Sequence, residues 1–212
     1  VSDQTRRLKR CRPSEGRSAC WSRNSFGSRR DAVTFYAVPR KCGPMYAIRY
    51  HEAGGPEVLQ YESIEEPEPD HDEVLVEIEA AAVNPVDAKI RAGRDPESPK
   101  TTGSDLAGVV REVGEGVAGF EPGDRVFATG LHTGRFTGGS FAEMATVPTD
   151  LLAHLPESVS FEEGAAAALV GVTAWRALVD HADVTPGETV FIHGGNGGVG
   201  HVDVGLANAM GA

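Results

Sequence analysis

Residues Thr189–Ala212 read TVFIHGGNGGVGHVDVGLANAMGA. A β-branched and aromatic run, TVFIH, leads into the turn Gly194-Gly195-Asn196-Gly197-Gly198-Val199-Gly200, after which Val199, Val202, Leu206 and Ala209 recur at helical spacing. Strand, glycine-rich turn and helix in that order suit a pyrophosphate. Glycine lets the backbone approach without a Cβ in the way, and the new helix offers N–H groups with partial positive charge. The turn reads as G-x-x-G-x-x-G through Gly194, Gly197 and Gly200, which departs from the strict G-x-G-x-x-G fingerprint. Two residues work against it. Asp203 lies in the first turns of the helix, where its charge suits the dipole but repels a phosphate, and Gly205 in the helix interior costs about 0.5–1 kcal/mol against alanine. His193 and His201 bracket the turn and read as a strand-end residue and an exposed helix residue.

A βαβ unit takes about 30 residues or more, and the sequence ends at Ala212, before a second parallel strand. The loop residue that separates NADP from NAD follows that second strand. The expectation is therefore the N-terminal part of a longer enzyme, with a poorly supported C-terminal portion.

Composition bounds the rest. The 212 residues are 40% hydrophobic and 24% charged, ordinary for a soluble globular chain of one large domain or two small ones. The most apolar stretch, Gly164 to Trp175, is too short and too rich in Ala and Gly to span a bilayer. The net charge of −11 is unevenly spread: residues 1–44 hold 11 Lys/Arg against 3 Asp/Glu, and residues 45–212 hold 9 against 28. An acidic body argues against nucleic acid as a partner, because phosphate binding draws on clustered Lys and Arg; it suits a protein adapted to high salt. All three cysteines, Cys11, Cys20 and Cys42, precede Gly43. The body therefore has neither a disulfide framework nor a thiolate zinc site, and a reducing, cytoplasmic setting is expected.

Residues 1–44 are rich in Arg and Ser with no sustained apolar period, so disorder is expected there. A transit peptide, a basic nucleic-acid arm and upstream sequence translated from a start set too early compete. The abrupt change at Met45, which opens the alternating MYAIRY, favours the last. From Met45 to Ser160 short strands alternate with Gly, Pro and Asp clusters, the pattern of a compact, barrel-like antiparallel β domain. YAIRY, VLQYESI, EVLVEIEAAAVN, DLAGVVREVGEGV, DRVFATG and SFAEMATVP read as strands. In the third, Val74, Val76 and Ile78 alternate with Leu75, Glu77 and Glu79, as in a half-buried strand.

One small helix is expected over Asn84–Gly93, with Pro85 in its first turn and Gly93 past its end. The Asn84 amide either caps this helix or faces a ligand, and spacing alone favours the cap. A longer helix begins at Ser160, whose spacing to Glu163 makes a capping box. Gly171 and Thr173 suggest a bend near its middle, with the Thr173 hydroxyl bonded to a backbone carbonyl.

Taken in order, YAIRYHEAGGPEVLQYE, EVLVEIEAAAVNPVDAKIRAG, GSDLAGVVREVGEGVAGFEPGDRVFATG, GGSFAEMATVP, LVGVTAWRAL and GETVFIHGGNGGVG resemble the zinc-independent, zeta-crystallin-like quinone oxidoreductases of the medium-chain dehydrogenase/reductase superfamily. The resemblance runs from Met45 to Ala212. It implies an α+β part followed by an α/β part: a GroES-like β-barrel domain over 45–160, then the start of a Rossmann dinucleotide-binding domain over 161–212. It also implies NADPH as cofactor, a small-molecule quinone or enone as hydride acceptor, and a homodimer when full length. Zinc-using relatives carry a cysteine and a Gly-His-Glu stretch where this chain has Asn84-Pro85-Val86-Asp87 and Gly103-Ser104-Asp105, so no metal is expected. By the same resemblance Asn84 faces the nicotinamide end and Thr173 lies close to the cofactor, while Asn196, Gly197, Gly198, Val199 and Gly200 wrap the pyrophosphate. Lys89 stands where similar enzymes often have tyrosine, which leaves that cofactor contact open. No catalytic residue is assigned; the chemistry calls for positioning rather than a dedicated acid. An alcohol dehydrogenase or enoyl reductase of the same superfamily, or a non-enzymatic binding domain, is the alternative.

Overall fold

The computed structural model describes residues 44–93, 95–130 and 138–212. The basic leader lies outside them. Among the described residues, eight strands precede the long helix: β1 Met45–Tyr50, β2 Gln60–Ile64, β3 Glu73–Ala82, β4 Lys100–Thr101, β5 Asp105–Val113, β6 Arg125–Thr129, β7 Met144–Pro148 and β8 Leu152–His154. Helix α1, Pro85–Gly93, follows β3, and proline opens it because the first-turn N–H has no intrahelical partner to lose.

The strands form two open antiparallel sheets, β2-β1-β4 and β7-β3-β5-β6-β8, rather than the closed barrel that the pattern suggested. The sheets touch where β1 meets the segment before β7: Ala47 bridges Ala142, and the Ile48 N–H donates to the Phe141 carbonyl at 2.7 Å. Beyond that bridge the link consists of scattered backbone bonds, Phe141 N–H to the Thr102 carbonyl at 2.9 Å and Ser140 N–H to the Gly103 carbonyl at 3.1 Å, rather than a ladder. The core lies on one face of the larger sheet, where Val74, Val76, Leu106, Val110, Val126, Ala145 and Val147 pack together. Leu75, on the opposite pleat face, is only 2% exposed. This end of β3 is thus covered on both faces rather than half-buried. Two register shifts follow in the β3–β5 ladder, and Gly108 sits beside them. A Cβ on Gly108 would come within 2.0 Å of the Glu77 carbonyl oxygen, so no other residue fits there.

Helix α2, Phe161–Trp175, opens with the expected capping box. The Glu163 N–H donates to Ser160 Oγ at 3.2 Å and the Ser160 N–H to the Glu163 carboxylate at 2.9 Å. Its small residues bring it against the larger sheet: Ala165, Ala168 and Ala174 are buried, and a Cβ on Gly164 would strike Leu155. Gly171 and Thr173 do not split the helix, because α2 runs as one α-helix to Trp175. The irregularity comes next, as a π-helical segment over Arg176–His181.

Thr185–Glu188 (TPGE) form a turn, with Gly187 at φ +88° and the Thr185 N–H on the Glu188 carboxylate at 2.7 Å. Residues 189–193, read as a strand, form none among the described residues, and Phe191 is 88% exposed. A strand exists through its ladder, and no described segment lies alongside to make one. Helix α3, Gly198–Ala209, packs on α2. Among the described residues no helix is long and apolar enough to cross a membrane.

Candidate functional site

Asn84 stands at the junction where β3 hands over to α1. Its backbone N–H donates to Asp87 Oδ2 at 2.7 Å, so Asp87 closes the first turn of α1 from within. The Asn84 side chain does not cap that helix. Its Nδ2 donates instead to Asp105 Oδ2 at 2.8 Å, across to the first residue of β5. Ser104 Oγ donates to Asp87 Oδ1 at 2.5 Å. Asn84, Asp87, Ser104 and Asp105 are 8%, 4%, 0% and 0% exposed, so four polar residues form one buried network. Buried polar groups are held in place by their bonds, and here the bonds run mostly among the four residues, with Asp105 Oδ1 left without one.

The same Asp105 oxygen also accepts from the backbone N–H of Leu169, in the middle of α2, at 3.3 Å. The Thr129 hydroxyl lies near the Asp105 carboxyl from the facing position on β6. Burial pushes the Asp105 carboxyl above the usual carboxylate range, and the negative charge of Asp87 adds to the push. The nearby Thr129 hydroxyl and the hydrogen bonds from Asn84 and Leu169 act against it.

Thr173 is exposed on α2, and its hydroxyl donates to the Leu169 carbonyl at 2.8 Å, the backbone bond expected of a helical threonine. One peptide unit further along, a Cβ on Gly198 would lie 3.7 Å from a Val170 methyl. The glycine turn therefore meets α2 one helical turn before Thr173.

Within that turn Gly194 has φ +77°, and the Gly197 N–H closes onto its carbonyl at 2.9 Å. A Cβ on Gly200 would come within 2.2 Å of the same carbonyl oxygen. Gly197 precedes α3 without a side-chain cap, and the N–H groups of Gly198, Val199 and Gly200 fall before the first intrahelical bond, from His201 to Gly197. Three donors thus converge at a bare helix start, the arrangement that accepts a phosphate group. Asn196 is exposed at the outer edge of the turn. His201 folds back to bond the Gly197 carbonyl through Nδ1 at 3.0 Å, a local role.

The structure thus links Asn84 to α2 and sets the glycine turn against the same helix. Lys89 is exposed on α1 and takes no part in this network. Sequence reasoning passed over Asp105 and Asp87 as members of the site. The available signal was an acidic residue opening the apolar run DLAGVV, where a carboxylate belongs only if something inside bonds it.

Residues 70–157 match the alcohol dehydrogenase GroES-like domain. Human quinone oxidoreductase is 43% identical over 171 residues, 79% of this chain and 50% of that protein. An alcohol dehydrogenase superfamily protein from Novosphingobium aromaticivorans superposes with a TM-score of 0.71 at 41% identity, over 79% of this chain and 51% of that one. A mycobacterial protein solved with NADPH gives 0.70 at 38% identity, over 79% and 50%. The chain spans about half the length of the curated relatives it matches. On sequence and fold together, the chain belongs to the medium-chain dehydrogenase/reductase superfamily, alongside its quinone oxidoreductases.

Proposed function

We propose that the protein carrying this chain is an NADPH-dependent reductase of small quinones or α,β-unsaturated carbonyls that works without zinc. The observation that carries the reading is the Gly194–Gly200 turn. Its left-handed glycine, its Cβ-free contact at Gly200 and its three N–H groups at a bare helix start make a cradle of the sign that suits a diphosphate. Relatives named quinone oxidoreductases, and a neighbour solved with NADPH, support the choice of cofactor and acceptor.

In this reading Gly197, Gly198, Val199 and Gly200 hold the pyrophosphate through backbone N–H groups, with Asn196 at the rim. Asn84 and Thr173 flank the nicotinamide end, and Lys89 reaches toward the cofactor from α1. When bound, NADPH supplies the hydride. The protein supplies binding and orientation, and its hydrogen-bond donors stabilise charge that develops on the acceptor oxygen. The zinc-free reading rests on donor chemistry: Asn84 and Ser104 occupy the positions of the expected ligands, and no cysteine follows Cys42. A homodimer of the full-length protein, working in the cytoplasm, completes the reading.

The test is quenching of NADPH fluorescence, followed by NADPH oxidation with 1,4-benzoquinone, with an enal and, in reverse, with an alcohol and NADP. Saturable binding with quinone turnover is the expected result. Turnover with the alcohol alone would assign the protein to the dehydrogenases, and absence of any dinucleotide affinity would leave a binding domain only.

A further inference from the structure

We propose that Asp105 is a positioning residue that joins the two contacts at the nicotinamide end, Asn84 and Thr173, into one mechanical unit. The inference rests on the cofactor reading above and deepens it. A single oxygen, Asp105 Oδ2, accepts from Asn84 Nδ2 at 2.8 Å and from the Leu169 N–H at 3.3 Å. The carbonyl of that same Leu169 accepts the Thr173 hydroxyl at 2.8 Å. Three hydrogen bonds therefore run unbroken from the start of α1, through the first residue of β5, to the exposed threonine on α2.

Two features separate this chain of bonds from incidental core polarity. The Leu169 N–H lies inside a regular helix, eight residues past the start of α2 at Phe161, where a side-chain acceptor is not needed to complete the ladder. Asp105 is also fully buried, directly before the apolar run Leu106–Val110 of β5, a costly place for a carboxyl that only fills space. What Asp105 provides is orientation. With its Nδ2 committed to Asp105, the Asn84 amide has one fixed flip, and α2 is held at a fixed height against β5. Asp87, held by Ser104 and the Asn84 N–H, fixes the other side of the same residue.

Because the role needs an acceptor oxygen and not a charge, Asp105→Asn fills it through its amide oxygen, whereas Asp105→Ala does not. The first readout needs no cofactor: backbone amide exchange at Leu169 and the side-chain amide resonances of Asn84, by NMR on the full chain. Asp105→Ala is expected to speed Leu169 exchange at least tenfold relative to neighbouring α2 amides and to shift the Asn84 pair, with Asp105→Asn close to the parent. Uniform acceleration along α2, or no change at Leu169, overturns the proposal.

The second readout is the NADPH dissociation constant. Asp105→Ala should raise it about tenfold in the parent and less than twofold in an Asn84→Ala, Thr173→Val background, since the link then has nothing left to position. Equal losses in both backgrounds overturn it. Should Asp105→Ala fail to fold, the cycle of Asn84→Ala with Thr173→Val serves instead: non-additivity of threefold or more supports the link, and additive effects refute it. An intact NMR signature with no NADPH affinity in the parent would sink the cofactor reading while leaving the link standing.

Discussion

The β-sheet core and the glycine turn are built on opposite plans. Around Val76, Leu106, Val110 and Val126 every side chain is enclosed, and stability comes from apolar area removed from water. Around Gly194–Gly200 side chains are nearly absent, and what is fixed is the backbone: one positive φ, one carbonyl in contact with a glycine, and several N–H groups left unbonded. The first region holds the chain together, and the second keeps donors available for a ligand. A change that matters greatly in one should matter little in the other, and that separation can be tested.

The largest expected effect is Leu106→Ala, a fully buried residue of β5. It should lower unfolding free energy by about 2–5 kcal/mol, whereas Val204→Ser, half exposed on α3, should stay within about 0.5 kcal/mol; urea unfolding of both variants checks the contrast. Equal losses would mean that α3 is as much a part of the core as β5. Next is Gly200→Ala, whose Cβ would press on the Gly194 carbonyl. NADPH binding should weaken by tenfold or more, about 1.4 kcal/mol per tenfold, while the unfolding midpoint of the sheet core stays in place. Fluorescence titration beside a thermal melt reads both; if binding and melt fall together, the two regions are one cooperative unit.

Ser160→Ala removes one half of the capping box that starts α2 and should cost about 1 kcal/mol, measured by chemical denaturation. The smallest expected signal is a slope. Because burial raises the Asp105 carboxyl above the usual range, the folded protein holds that proton more tightly than the unfolded chain. The stability it contributes is full below the unfolded carboxyl value, about 3.9, and declines as pH rises through the raised folded value. Asp105→Asn carries no such proton, so it should gain on the parent as pH increases from about 4 to about 8. Melting both proteins across that range tests the sign, and a gap that shrinks with rising pH would show a carboxyl stabilised in its charged form.

Local patterns carried much of this structure in the sequence. The alternation in MYAIRY, the Pro85 start of α1 and the Ser160–Glu163 pair each encode their element within a few residues, and each formed. The glycine spacing marked the turn for the same reason. What the sequence did not disclose depends on distant partners. TVFIH has strand composition but no neighbour to pair with among the described residues. The β segments suggested a barrel, because alternation within each strand carries no information on whether the outermost strands pair. Asn84 looked like a cap because spacing cannot show that Asp105, 21 residues on, would claim its amide. Asp105 drew no reading of its own, since only folding brings β5 against the middle of α2.

The π-helical segment Arg176–His181 has a directional consequence. Its Ala182 N–H bonds back five residues to Ala177, so it carries one residue more than an α-turn would. Excising a single residue there would restore α spacing and rotate the departing chain by about 100°. The chain that leads to Gly194–Gly200 would then leave α2 in another direction, and α3 would have to find its seat on α2 from a different starting point.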